Sequence, residues 1–173
     1  MNPISIFCFV TLLSFCFHQI PLVESSDDLI TQTCSKTLYK DLCEKTLRAD
    51  PGSKSAKVEG LAKIALKAAA SNAKTIQSQI ASLLKTTSDK QVKEALEDCA
   101  DNYDSASEQL SDSLGALEAK RYADVNVWVT AAMTDGDSCE EGFESGTSPL
   151  TQANTNFGHL TSNVLAITNQ LKV

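Results

Sequence analysis

The feature that most constrains this chain is a single apolar stripe. Val92, Leu96, Cys99, Tyr103, Ala106, Leu110, Ser113 or Leu114, and Leu117 recur at steps of four and three. Such steps return to one face of a 3.6-residue helix, so they predict a long helix running to about Ala119 with one side in a core. Cys99 lies inside the stripe, and a disulfide there pins the helix to whichever segment carries its partner. Beside it runs a second row with the same period, Asp98, Asp101, Ser105, Glu108 and Asp112, polar and almost wholly acidic. The first row predicts a bundle; the second predicts a surface that helps meet a partner.

The rest of the chain repeats the helical pattern. From Ser55 onward, Val58, Leu61, Ala65, Ala69, Ile76, Ile80, Leu83 and Leu84 mark a second long helix, and its many alanines favour helix and close approach. Ser88 with Gln91 reads as a capping box that opens the central helix. Lys120 and Arg121 put positive charge where the helix dipole favours it. A third helix is expected from about Tyr122, with Val125, Trp128, Val129 and Ala132 inward and Trp128 in the core. Asp135-Gly136-Asp137 is expected to stop it before Cys139. Ser148 as cap and Pro149 in the first turn open a last helix through Phe157, Leu160, Val164, Ile167 and Leu171. His159 falls one position off that stripe and is expected half-exposed. Ahead of all this, two short helices flank Cys34 and Cys43 and end at Asp50-Pro51-Gly52-Ser53. The sum is an all-α chain: a four-helix bundle over 51–173 behind an N-terminal α-hairpin extension over 26–50.

Residues 1–25 read as a secretory signal peptide. An apolar run from Ile4 to Phe17 is followed by a break at Pro21 and by Val23-Glu24-Ser25, with a small residue last. The run is too short for a membrane span, and no second one of spanning length follows, so a secreted, extracellular protein is expected. Cleavage removes Cys8 and Cys16 and leaves Cys34, Cys43, Cys99 and Cys139. In an oxidising compartment these form two disulfides, with three pairings open. Cys34–Cys43 with Cys99–Cys139 is favoured, since the first closes a hairpin-sized loop and the second ties distant parts of one bundle. Each would stabilise by roughly 3–4 kcal/mol. A zinc site is the rival reading, but CxxC spacing is missing and His159 is the only mature histidine, so no metal is expected.

Fifteen Lys and Arg against 22 Asp and Glu give a net charge of −7. That balance argues against a nucleic-acid partner and is compatible with a basic protein partner. No catalytic constellation occurs: there is no GxSxG, no HExxH and no glycine-rich phosphate loop. Asp135-x-Asp137 with Glu140, Glu141 and Glu144 suggests a calcium loop, but Cys139 and Glu140 stand where that loop needs a ligand and a glycine. No cofactor is expected. A disulfide-held bundle without a catalytic set is most simply a binding protein. Like charges at helical spacing repel by a few tenths of a kcal/mol per pair, and a cationic surface would relieve the row and speed encounter. If Cys99 bonds Cys139, then Asp135, Asp137, Ser138, Glu140 and Glu141 are expected to join it in one acidic patch.

Several short blocks then carry a resemblance: Cys34 and Leu42-Cys43, Ala49-Asp50-Pro51-x-Ser53, Gly60-Leu61, Asp98-Cys99-x-x-x-Tyr103, Tyr122-Ala123, Ala131-Ala132 and Cys139-Glu140-x-x-Phe143. Over about Asp28 to Leu171 the chain resembles the plant invertase/pectin methylesterase inhibitor family. The resemblance implies a four-helix bundle with an α-hairpin extension, cysteines paired first with second and third with fourth, and no catalysis. It implies a secreted inhibitor that binds a carbohydrate-active enzyme one to one and covers its substrate cleft. Invertase inhibitors of this family typically carry Pro-Lys-Phe before the third bundle helix, where this chain has Lys120-Arg121-Tyr122. The spacing from Tyr122 to Cys139 is similar to that of the pectin methylesterase inhibitors. Carried over by position, the implied partner-binding residues are Asp101, Ser105, Glu108, Ser138 and Glu141, with Ser105 where a carboxylate often stands. The expected function is inhibition of pectin methylesterase in the cell wall. Inhibition of cell-wall or vacuolar invertase is the alternative, and a non-inhibitory interaction bundle the third reading.

Overall fold

The structure, a computed structural model, describes residues 26–143 and 148–171. Its helices are α1 (Ser26–Cys34), α2 (Lys40–Ala49), α3 (Val58–Thr86), α4 (Lys90–Glu118), α5 (Tyr122–Glu141) and α6 (Thr151–Asn169), with a 3-10 turn over Pro51–Ser55. The expected signal peptide lies outside the described residues.

Helices α3 to α6 form the bundle. Each packs on its neighbours in chain order, α6 closes back on α3, and the backbones of the diagonal pairs stay apart among the described residues. The stripe that predicts α4 is its buried face: Leu96, Cys99, Tyr103, Ala106, Leu110, Ser113 and Leu117 are all inaccessible or nearly so. Opposite it, Leu61, Leu66, Ile76 and Ile80 of α3 alternate with buried Ala62, Ala65, Ala69 and Ala73. Each buried leucine or isoleucine contributes about 1.5–3 kcal/mol, while the alanines let α4 and α6 approach the α3 backbone.

The hairpin of α1 and α2 is bridged by Cys34–Cys43, with Cα atoms 5.6 Å apart, and rests on α3 and α6. Ile30 and Leu47 seal its underside. Asn163 donates to the Tyr39 carbonyl at 3.1 Å, and Gln170 to the Thr33 carbonyl at 3.1 Å. The Tyr39 ring stacks on half-buried His159 with centroids 3.6 Å apart.

Four local expectations are corrected. The cap of α4 is Asp89, not Ser88: its carboxylate accepts from the backbone N–H groups of Gln91 and Val92 at 2.9 and 3.1 Å, and a carboxylate suits the positive end of the dipole. Asp135-Gly136-Asp137 does not stop α5, which runs through Cys139 to Glu141. Gly136 is buried inside the helix, where a Cβ would stand 2.8 Å from the Phe157 ring. Trp128 is not core but 38% exposed, because the buried line Val125, Val129, Ala132, Gly136, Cys139 leaves it on the flank. Finally, α6 starts at Thr151, so Pro149 precedes its first turn. Ser148 accepts from the Leu150 N–H at 3.1 Å instead of capping deeper into the helix.

Candidate functional site

The Cys99–Cys139 disulfide brings the Cα atoms of α4 and α5 to 4.6 Å. Each of the two helices exposes polar residues near it. Asp98, Asp101, Ser105, Glu108 and Asp112 of α4 are all exposed, as are Ser138 and Glu141 of α5. A shallow groove lined by Asp89, Glu94 and Asp98 together with Gly142 and Phe143 joins the start of α4 to the end of α5. None of Asp98, Asp101, Glu108, Asp112 and Glu141 has an ion pair among the described residues. These residues therefore carry uncompensated negative charge on a rigid support.

The wider acidic patch does not form as expected. Asp137 and Glu140 turn toward α6, away from the α4 row, and Asp135 is half-buried in the seam between α5 and α4. Asp135 sits against Gln109; burial pushes its carboxyl above the usual range, with the Gln109 hydrogen bond acting the other way. Glu140 faces α6, accepting from Asn154 at 2.7 Å, from Ser148 at 2.9 Å and from Thr151. Burial alone would raise its carboxyl, but these three hydrogen bonds outweigh burial and hold it below the usual range. Asp137 lines a cleft with Tyr39 and His159. The 3.6-residue period puts 137 and 140 on the α6 side of α5 and 138 and 141 on the outside.

Behind these exposed residues lies a buried polar chain. The Tyr103 hydroxyl donates to Asn154 Oδ1 at 2.8 Å, and Asn154 in turn donates to Glu140. Burial, with the nearby carboxylates of Asp137 and Glu140, keeps the Tyr103 phenol protonated far above its usual range. This chain links α4, α6 and α5 just inside the disulfide and fixes the register of the exposed residues. It offers no nucleophile and no free base. All four described cysteines are in disulfides, and no group of His, Cys, Asp and Glu among the described residues is arranged to hold a metal.

Two further features go beyond the sequence reading. Val127, 63% exposed, and Trp128 stand on α5 at the far end of the α4 row, where Trp128, Asp112, Gly115 and Asp124 line one groove. The signal is present in the sequence: Trp128 directly precedes Val129 on the buried line and so cannot share its face fully. Secondly, Lys120-Arg121-Tyr122 is a folded turn. Arg121 N–H bonds the Ala116 carbonyl at 2.8 Å and Lys120 N–H the Leu117 carbonyl at 3.0 Å, the paired bonds of a Schellman cap. Lys120 takes φ 56°. Arg121 pairs with Asp124 at 2.7 Å, and half-buried Tyr122 reaches Glu59 at 3.5 Å.

The family described as plant invertase/pectin methylesterase inhibitor matches residues 28–167. A Platanus acerifolia protein named "Putative invertase inhibitor" is 33% identical over 93% of this chain and 96% of its own length. The "Pectinesterase inhibitor" of Actinidia deliciosa is 32% identical over 88% of this chain and 84% of its own. The crystal structure of a mutant form of a pectin methylesterase inhibitor from Arabidopsis superposes with a TM-score of 0.70 at 25% identity, covering 81% of this chain and 95% of that one. With the match running from the hairpin through both disulfides into the last bundle helix, this chain belongs to the plant invertase/pectin methylesterase inhibitor family and is an enzyme inhibitor rather than an enzyme.

Proposed function

We propose that the protein inhibits pectin methylesterase by a one-to-one complex in which the outer face of α4 and α5 covers the enzyme's pectin-binding cleft. What supports this reading is the exposed row Asp101, Ser105 and Glu108, without an ion pair among the described residues, on a helix that Cys99–Cys139 ties to α5, where Ser138 and Glu141 are also exposed. Inhibition is then steric. The carboxylates steer the approach toward a basic rim and raise the association rate more than the final affinity. Secretion into the cell wall completes the reading: residues 1–25 carry the signal pattern, and no helix among the described residues is long and apolar enough to cross a membrane.

The second reading is inhibition of an acid invertase. It is favoured by the name of the Platanus relative and by Lys120, which is exposed at a left-handed turn. Against it, Arg121 is held in a surface ion pair with Asp124 and half-buried Tyr122 reaches Glu59 of α3, and the proline of the Pro-Lys-Phe pattern is missing.

The test is a titration of purified oxidised protein against one pectin methylesterase and one invertase. Saturating inhibition of the esterase at equimolar protein is expected, weakening as salt rises. Asp101→Lys combined with Glu108→Lys, both exposed, should weaken inhibition at least tenfold while leaving the melting temperature within a few degrees. An unchanged inhibition constant in that variant removes the acidic row from the mechanism, and inhibition of the invertase alone replaces the target.

A further inference from the structure

Charge on this molecule is segregated. Between Lys36 and Lys85 ten Lys and Arg stand against four Asp and Glu; between Lys90 and Glu141 four stand against thirteen. The first set lies on the hairpin and α3, the second on α4 and α5. On α3, Lys63, Lys67, Lys74 and Lys85 are spaced by four, seven and eleven residues. At about 100° per residue they fall within about 40° of one line, and at 1.5 Å per residue that line is about 33 Å long. It is an outward ridge, since the buried residues of α3 occupy the opposite side. Lys63 pairs with Glu118 at 2.6 Å. Lys67, Lys74 and Lys85 are exposed and make no ion pair within 4 Å among the described residues, with Lys67 still close enough to Glu118 to favour its charged form. Lys36 and Lys45 of the hairpin and Lys54 and Lys57 of the turn that joins it to α3 are exposed as well.

We propose that this basic side is a second binding surface, and that its ligand is a linear carboxylated polysaccharide, a polymer of uronic acid, lying along the α3 ridge. Three observations select that chemistry among polyanions. The ridge is built of lysines, point charges suited to single spaced carboxylates; phosphate recognition favours the bidentate fork of arginine. No aromatic residue occurs anywhere in α3, so nothing on the ridge stacks on a base. Between the lysines stand exposed Ser71, Ser78 and Ser82, which suit sugar hydroxyls and offer no apolar wedge to a bilayer. Only the choice of uronate over other carboxylated polymers rests on the reading of the protein as a pectin methylesterase inhibitor, whose target converts esters of that polymer into carboxylates. The acidic face then meets the enzyme while the basic side holds the chain the enzyme has already de-esterified.

The test immobilises polygalacturonate and, separately, the same polymer fully methyl-esterified, and measures binding of the oxidised full-length mature protein over a range of salt. Binding to the de-esterified polymer is expected to be at least tenfold tighter and to fall steeply with salt, as displaced counterions require. Lys67→Glu with Lys74→Glu and Lys85→Glu should cost at least another tenfold, while the matching triple arginine variant keeps binding. Circular dichroism melts confirm folding, and inhibition of the esterase on short esterified oligomers should be unchanged in both variants. Equal binding to both polymers, an unaffected glutamate variant, or tighter binding to duplex DNA or phosphatidylserine vesicles overturns the inference. Loss of polymer binding with inhibition intact overturns it alone, whereas polymer binding without any esterase inhibition overturns the proposed function alone.

Discussion

A Cβ on Gly136 would stand 2.8 Å from Cδ1 of Phe157. Phe157 is fully buried and packs edge-on against Tyr103 with ring centroids 5.3 Å apart, so it has nowhere to retreat. Gly136→Ala gains up to about 1 kcal/mol of helix propensity but forces this contact apart, a cost of about 1–3 kcal/mol. The expected net result is a loss of about 1–2 kcal/mol, read as a lower urea midpoint with unchanged slope. A stabilised variant would mean that α5 and α6 are free to separate there.

The same contact explains where sequence reading stops. Periodicity alone locates the buried face of α4, because its stripe is strict over about seven turns and one face decides the helix. It misjudges α5, whose inward line includes a glycine that exists for a neighbour one helix away. Asp-Gly-Asp looks like a stop locally, and only the Phe157 ring makes it a helix interior. Trp128 is misplaced for the opposite reason: size suggests core, while its angle beside Val129 puts it on the flank. The exposed α4 row is legible, but the split of Asp137 and Glu140 from Ser138 and Glu141 needs the direction of α6, and the half-burial of Asp135 against Gln109 needs the packing of α5 on α4. Net charge hides the lysine ridge, because −7 averages over two sides of opposite sign.

Asp135 should weaken the fold at neutral pH. Its carboxyl is raised by burial, so the native state holds the proton more tightly than the unfolded chain. The penalty is absent below the unfolded value and develops as pH rises through the folded one. Asp135→Asn is therefore expected to raise the melting temperature at pH 7, with the gain vanishing in acid. A gain that persists unchanged in acid would place its origin in packing.

Glu140, five residues on, should show the reverse sign. Its hydrogen bonds to Thr151, Asn154 and Ser148 outweigh burial and lower its carboxyl, so its contribution is present above the unfolded value and lost as pH falls through the folded one. Glu140→Gln should lower the melting temperature at pH 7 and converge on the parent in acid. The two melts against pH, taken together, distinguish local electrostatics from a general acid effect, which would move both variants in one direction.

Lys120 holds a left-handed conformation, φ 56°, at the Schellman position that glycine favours. Lys120→Gly removes the Cβ clash and is expected to stabilise by about 0.5–1 kcal/mol, less than the full left-handed penalty because glycine also frees the unfolded chain. The substitution also deletes the exposed cation of Lys120-Arg121-Tyr122. Esterase inhibition should be unchanged, and a loss of it would bring this turn into the esterase interface.

Trp128 offers the sharpest separation of folding from binding. A tryptophan in the core costs about 3–5 kcal/mol when truncated to alanine, but 38% of this one is exposed, and Val125 and Val129 carry the buried line without it. Trp128→Ala should therefore cost only about 1 kcal/mol of stability. Its groove is shared with Asp112, the last member of the acidic row, and a half-exposed tryptophan at the end of a charged face is the residue type that most often anchors an interface. The same variant is expected to raise the inhibition constant against pectin methylesterase at least tenfold, mainly through faster dissociation, since an apolar anchor adds nothing to electrostatic steering. A faster-dissociating complex with an unchanged association rate supports the anchor. An unchanged dissociation rate confines the interface to the acidic end, from Asp98 to Glu108 with Ser138 and Glu141.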